Sequence, residues 1–252
     1  MTAPFDAFIF DIHDVLLRNG TRALFRKFLE RQAQEDPRID LSFDGDVPAV
    51  MNGLLYKYCP LCAFMPCKKE PIGSPHLKKM LYTGQISFEQ MKVAMTQMLT
   101  HFVECSPKVR IILDYLAEFS TVPALIAREV APIPEGVALL RRCLDKHGPQ
   151  SVFILSNATT PLYSVYEQRF PEIFSGLRRE QVILSSEIGM AKPDPAVYRH
   201  VLERFALRPA RAIFFDDSIS NVQIAREVGM HAVLVDPMNP QRMQKEFESL
   251  GL

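Results

Sequence analysis

The chain has 252 residues and sets 29 lysines and arginines against 29 aspartates and glutamates, for a formal charge of zero. That balance excludes a protein built on contacts to the nucleic-acid backbone, which needs a basic surplus, and a polybasic membrane anchor. With 48% apolar and 23% charged residues, no apolar run near the ~20 residues that cross a bilayer and no basic leader ahead of the first acid, the composition predicts a cytoplasmic globular protein that handles a small molecule.

In chain order, residues 7–10 (AFIF) form the first of five short apolar runs, each bounded by polar or turn residues. The others lie at 152–155, 182–184, 212–215 and 232–235. Runs of this kind predict strands buried on both faces of a parallel sheet. Between the first run and the second the pattern is helical, at residues 21–35, 87–100 and 107–119. Ser87 and Gln90 are spaced as a capping box, and Met91, Met95 and Met98 follow at helical spacing as core filler. The stretch 35–46 is acidic, and 56–80 holds five lysines and one glutamate; both read first as solvated surface. From residue 133 onward strands alternate with helices, at 135–146, where Pro134 suits the first turn, and then at 195–205 and 221–228. The pattern predicts an α/β doubly wound parallel sheet from residues 1–18 and 131–252, with a mainly helical insertion over 19–130. Ligands of such sheets sit outside the carboxyl ends of the strands.

Those ends carry charge. Asp11 follows the first run and Asp216-Asp217 the fourth, and a carboxylate leaving a buried strand is costly unless paired or bound to a cation. If the first and fourth strands are neighbours, three carboxylates converge as hard oxygen ligands suited to Mg²⁺. Ser156 and Asn157, ending the second run, offer a hydroxyl and backbone N–H groups to an anion. Lys192, just before a proline-started helix, is a point charge suited to a phosphate. Each has an ordinary reading as a turn, cap or surface residue. Their order, with every member at a strand end or helix start, is what carries the functional reading.

Four segments then stand together: FDIHDVL at 10–16, LSNAT at 155–159, GMAKPDPAVY at 189–198 and FFDDSISNVQIAREVGM at 214–230. In order and spacing they resemble the four motifs of the haloacid-dehalogenase (HAD) superfamily of hydrolases, whose core is Rossmann-like, with a helical cap of the C1 type inserted after the first strand. YTGQISFE at 82–89 resembles the cap of the subfamily that includes sugar-phosphate phosphatases and epoxide-hydrolase N-terminal domains. The resemblance implies that Asp11 attacks phosphorus to form an aspartyl-phosphate. It implies Mg²⁺ held by Asp11, Asp217 and the backbone carbonyl of His13, with Asp216 holding a metal-bound water. Ser156, the Asn157 N–H and Lys192 would stabilise the transferring phosphoryl group of a small phosphorylated metabolite. Asn221 would orient the Asp217 or Lys192 side of the site.

His13 departs from the family pattern. Phosphatases of the family carry a second aspartate there as acid/base; dehalogenases carry an aromatic residue and phosphonate-cleaving enzymes a small one. Imidazole titrates near neutrality, so His13 can take the acid/base role. Asp14 stands where the family has glycine and tolerates a left-handed turn better than most residues. The readings left open are a phosphatase using His13, a slow enzyme that stalls as the aspartyl-phosphate, and a catalytically impaired binding protein. Dehalogenation and phosphotransfer stand behind them. Asp216-Asp217 weighs against dehalogenation, because displacing a halide needs no metal.

Five cysteines, an odd number, fit free thiols better than a disulfide framework. Cys59, Cys62 and Cys67 crowd into nine residues, with His76 following. Free buried thiols are the first reading and a structural Cys₃His zinc site the second. His101, His147, His200 and His231 have no partner at ligand spacing and read as surface or core residues.

Overall fold

The computed structural model describes residues 5–35, 77–101, 114, 115, 117, 118, 121–236 and 238–249. In chain order its elements are β1 (Ala7–Phe10), β2 (Leu17–Arg18), α1 (Thr21–Glu35), α2 (Leu77–Tyr82), α3 (Phe88–His101), α4 (Pro123–Ile126), β3 (Ala131–Pro132), α5 (Pro134–His147) and β4 (Val152–Ser156). There follow α6 (Thr160–Arg169), α7 (Pro171–Phe174), β5 (Val182–Leu184), α8 (Ser185–Ile188), α9 (Pro195–Arg204), β6 (Ala212–Asp216), α10 (Ile219–Glu227), β7 (His231–Leu234) and α11 (Pro240–Ser249). The chain divides into two compact units, Met1–Asn19 with Val130–Leu252, and Gly20–Glu129.

The first unit is built on a parallel sheet in the order β5-β4-β1-β6-β7. β1 is its centre, with Phe8 paired to Val152 on one side and to Ile213 on the other. Both faces of the sheet are covered, which is why the strands read as unbroken apolar runs. On one face Ala7, Ile9, Phe153, Leu155 and Phe214 pack with Val197, Tyr198 and Val201 of α9 and Val222 and Ala225 of α10. On the other, Phe8 lies against His147 at the end of α5, and Phe10 stacks on Phe215, which meets Phe247 of α11 edge to face. Each such large side chain contributes about 1.5–3 kcal/mol on burial. The chain winds from β1 to β4 and β5 on one side, then returns past β1 to β6 and β7 on the other. The reversal falls at β1, and the strand ends on either side of it form the crevice in which such folds bind ligands.

Three details differ from the sequence pattern. β4 and β6 each run one residue further than their apolar runs, so Ser156 and Asp216 are strand residues. β7 begins at His231 rather than at Ala232, because Ile213 pairs with His231. β2 and β3 form a short antiparallel ribbon, Leu17 opposite Pro132 and Arg18 opposite Ala131, too brief to show an alternation. Next to it the first turn of α5 presses on the loop after β1. A Cβ on Gly136 would lie 1.8 Å from the Val15 carbonyl oxygen, so this helix start requires glycine.

The described residues of the second unit are helices and their connections. Phe25 and Phe28 of α1 pack edge to face on Tyr115, at 4.8 and 5.5 Å between centroids, and Arg31 makes a two-point bond to Glu118. The Ser87–Gln90 capping box is formed reciprocally: the Ser87 N–H donates to Gln90 Oε1 at 2.8 Å and the Gln90 N–H to Ser87 Oγ at 3.1 Å. Met91 is buried as expected. The side chains of Met95 and Met98, residues 107–113, and Cys59, Cys62, Cys67 and His76 lie outside the described residues. Among the described residues, no helix is long and apolar enough to cross a membrane.

Candidate active site

Asp11 is the first residue beyond β1, and its N–H continues the sheet ladder by donating to the Phe215 carbonyl at 3.0 Å. Since Phe10 pairs with both Ile154 and Phe215, the residues beyond it on β1, β4 and β6 emerge side by side. Asp11, Ser156 and Asp216 thus sit at neighbouring strand ends, and all three are buried. The sheet delivers them together because parallel strands all present their carboxyl ends to one edge.

Lys192 joins two of these ends. Its Nζ lies 2.6 Å from Asp216 Oδ2 and 2.9 Å from Asp11 Oδ2, in a position almost closed to water. Burial acts to lower the lysine's pKa, but the two carboxylates outweigh it and hold the ammonium above its ordinary value. The backbone of Lys192 is clamped from both sides by Asn157. The Lys192 N–H donates to Asn157 Oδ1, and Asn157 Nδ2 donates to the Lys192 carbonyl, each at 2.8 Å. Burial, with the charge of Asp11 behind it, holds the Asp216 carboxyl above its ordinary value although Lys192 and the Ser218 N–H act to lower it. Asn221 Nδ2 and the Ser218 N–H both donate to its Oδ1 at 2.8 Å and Lys192 donates to Oδ2, so both oxygens of Asp216 are fixed in place. Asn221, expected to orient the Asp217 or Lys192 side of the site, bonds Asp216, the carboxylate that holds Lys192. Asn221 is fixed in turn by the Tyr198 hydroxyl, which donates to its carbonyl at 3.0 Å.

Asp217 completes a triad of carboxylates. Ligand oxygens from Asp11, Asp216 and Asp217 all lie within 4.8 Å of one another. The Asp217 residue is exposed, yet its carboxyl is pushed up to about 7, by desolvation from the packed protein beside it and then by the charges of Asp11, Asp216 and Asp14. Three carboxylates against the single ammonium of Lys192 leave the cluster with an excess of negative charge. That excess and the all-oxygen donor set fit a hard divalent cation such as Mg²⁺.

Ser156 supplies the complementary feature. Its Oγ is buried with no hydrogen-bond partner among the described residues. An orphaned hydroxyl of this kind costs about 1–3 kcal/mol and calls for an explanation. At the mouth of a strand, just before the helix start that Thr159 caps, a ligand oxygen is the natural one. Asp14 holds φ 55°, the left-handed conformation expected for it, and its Oδ1 accepts the Asn19 N–H at 3.0 Å.

His13 brings a residue that the sequence did not single out. Its Nε2 lies 2.7 Å from the hydroxyl of Tyr166, a fully buried residue of α6. Nothing in the sequence marks Tyr166, which reads as one more apolar position of its helix. Of the remaining histidines, His147 and His231 lie against the rings of Phe8 and Phe5, as core and edge residues do.

Comparison with known proteins places this architecture. The family model for haloacid dehalogenase-like hydrolases matches residues 5–229. The mouse protein acyl-CoA dehydrogenase family member 10 is 32% identical over 146 residues, which is 54% of this chain and 14% of that protein. Phosphatase MT3486 of Mycobacterium tuberculosis is 41% identical over 73 residues, 28% of this chain and 34% of the relative. The chain therefore spans well under half the length of these two relatives. The HAD family enzyme BT-2542 of Bacteroides thetaiotaomicron, solved with magnesium and inorganic phosphate, superposes with a TM-score of 0.54 over 91% of this chain and 93% of that one, at 17% identity, a likeness of fold. With the family model covering nearly all of the sequence, this chain belongs to the haloacid dehalogenase-like hydrolases.

Proposed function

We propose that this protein is a Mg²⁺-dependent phosphatase that hydrolyses a small phosphate monoester through Asp11. The observation that carries the reading is the Asp11–Lys192–Asp216 web with Asp217 beside it: a negative cluster shaped for a cation, next to the orphaned hydroxyl of Ser156. Asp11, Asp216, Asp217 and the His13 carbonyl would hold the metal, which when bound reduces the repulsion between Asp11 and an incoming phosphate.

In this mechanism a carboxylate oxygen of Asp11 forms a bond to phosphorus as the ester oxygen leaves, and His13 gives that oxygen a proton. His13 then takes a proton from the water that cleaves the aspartyl-phosphate, returning Asp11 and releasing inorganic phosphate. Ser156, the Asn157 N–H and Lys192 hold the phosphoryl oxygens through both steps. Residues 19–130 would be the helical cap that selects the substrate and residues 1–18 and 131–252 the core, in a cytoplasmic enzyme. The phosphatase name of the mycobacterial relative and the phosphate-bound state of the Bacteroides enzyme support this substrate class.

The test is release of phosphate from an aryl phosphate by the purified protein with Mg²⁺. Turnover that chelator and Asp11→Asn both abolish is expected. No turnover across a panel of phosphate esters would contradict the reading and favour a phospholigand-binding role. Halide release from a haloacid would indicate dehalogenation instead.

A further inference from the structure

The loop after β1 is tied down by its own backbone. The Leu16 and Leu17 N–H groups both donate to the Ile12 carbonyl at 2.9 Å, and the Asp14 N–H donates to the Leu17 carbonyl at 2.7 Å. Side-chain rotation is the freedom that remains to His13. That rotation meets Tyr166, whose hydroxyl lies 2.7 Å from Nε2 and whose ring stands edge-on to the imidazole at 5.4 Å and 78°. Tyr166 is fully buried in α6, the helix that starts just after Ser156 and is capped by Thr159. The phenol is a fixed post on the same strand–helix junction that presents Ser156.

An aspartate at position 13 would need no such post, because its two oxygens are equivalent. An imidazole has two unlike nitrogens, and which of them carries the proton is set by the bond the other makes. A histidine in an acid/base position therefore works reproducibly only if something selects its ring flip and its tautomer. A buried phenol needs a partner for its hydroxyl, and the His13 side chain, two residues beyond Asp11, is one.

We propose that Tyr166 is a positioning residue for His13: its hydroxyl oxygen accepts the Nε2–H, which fixes the ring flip and leaves Nδ1 as the nitrogen that gives and takes the proton in turnover. The kinetic consequence rests on the phosphatase reading above; the tautomer does not. Tyr166→Phe removes the hydroxyl and keeps the ring packing, and a melting curve confirms that the variant folds. In nitrogen-15 spectra of histidine-labelled protein, neutral His13 is expected as the Nε2–H tautomer in the parent and as a mixture in Tyr166→Phe. With an aryl phosphate and Mg²⁺, kcat should fall about tenfold with KM unchanged. The same substitution should cost nothing further in a His13→Gln background. Two results would each overturn the proposal: an identical His13 tautomer in both proteins, or an equal loss of kcat when His13 is already replaced. If no variant or parent turns over any phosphate ester, the phosphatase reading fails, and the tautomer comparison still decides whether Tyr166 sets the ring.

Discussion

Lys192 places one ammonium between Asp11 and Asp216, at 2.9 and 2.6 Å, where water scarcely reaches. Removing it would leave two buried carboxylates facing one another with no charge between them, and an uncompensated buried charge is far more costly than a lost surface pair. Lys192→Met is accordingly expected to lower stability by about 3–5 kcal/mol in urea unfolding, with part of the loss recovered by Mg²⁺. A loss below about 1 kcal/mol would show that the lysine is not the counter-charge it is taken for here. Asp11, Ser156, Lys192, Asp216 and Asp217 were legible in the sequence because charged or hydroxyl residues directly after apolar runs, or before a proline-started helix, have few structural uses. Their partners were not. Asn157 and Lys192 are 35 positions apart, and only the folded sheet makes the side chain of one a clamp on the backbone of the other. Asn221 sits within reach of several acids in sequence, and the geometry of α10 assigns it to Asp216. Tyr166 carried no signal, since a buried tyrosine and a positioning tyrosine look alike in a helical pattern.

At the scale of elements, α5 and the loop after β1 depend on one another through Gly136. On helix propensity alone, Gly136→Ala should stabilise the protein by up to about 1 kcal/mol. The Val15 carbonyl, 1.8 Å from where the new Cβ would lie, reverses that sign. Either α5 or the loop carrying His13 and Asp14 must move, so a lower melting temperature and reduced phosphate release are expected together. A raised melting temperature would contradict the tight seat described here. The strands were readable because burial on both faces leaves an unbroken apolar run, and the capping box at Ser87 because its two residue types have a defined spacing. The β2–β3 ribbon escaped notice because two residues show no period, and the start of β7 because its register is set by pairing to β6 rather than by its own composition.

Over the whole molecule positive and negative charges cancel, yet the site at the end of β1 and β6 holds three carboxylates against one lysine. Without a cation, that crowding makes stability depend on pH. Asp217 titrates at about 7 in the folded protein and near about 4 in an unfolded chain. Its protonated form thus favours the folded state: the contribution is full below pH about 4 and is lost as pH rises through about 7. Mg²⁺ should therefore raise the melting temperature more at pH 8 than at pH 5, and Asp217→Asn should flatten that difference. An equal effect of Mg²⁺ at both values would show that the carboxylates are not its site. The claim on which the rest depends is that Asp11 forms a covalent bond to phosphorus. The most direct test is the mass of the peptide bearing Asp11 after brief exposure to an aryl phosphate with Mg²⁺ and an acid quench. A peptide heavier by one phosphoryl group in the parent protein, and unchanged in Asp11→Asn, is the predicted result. Sustained phosphate release by Asp11→Asn, at a rate near that of the parent, would contradict it.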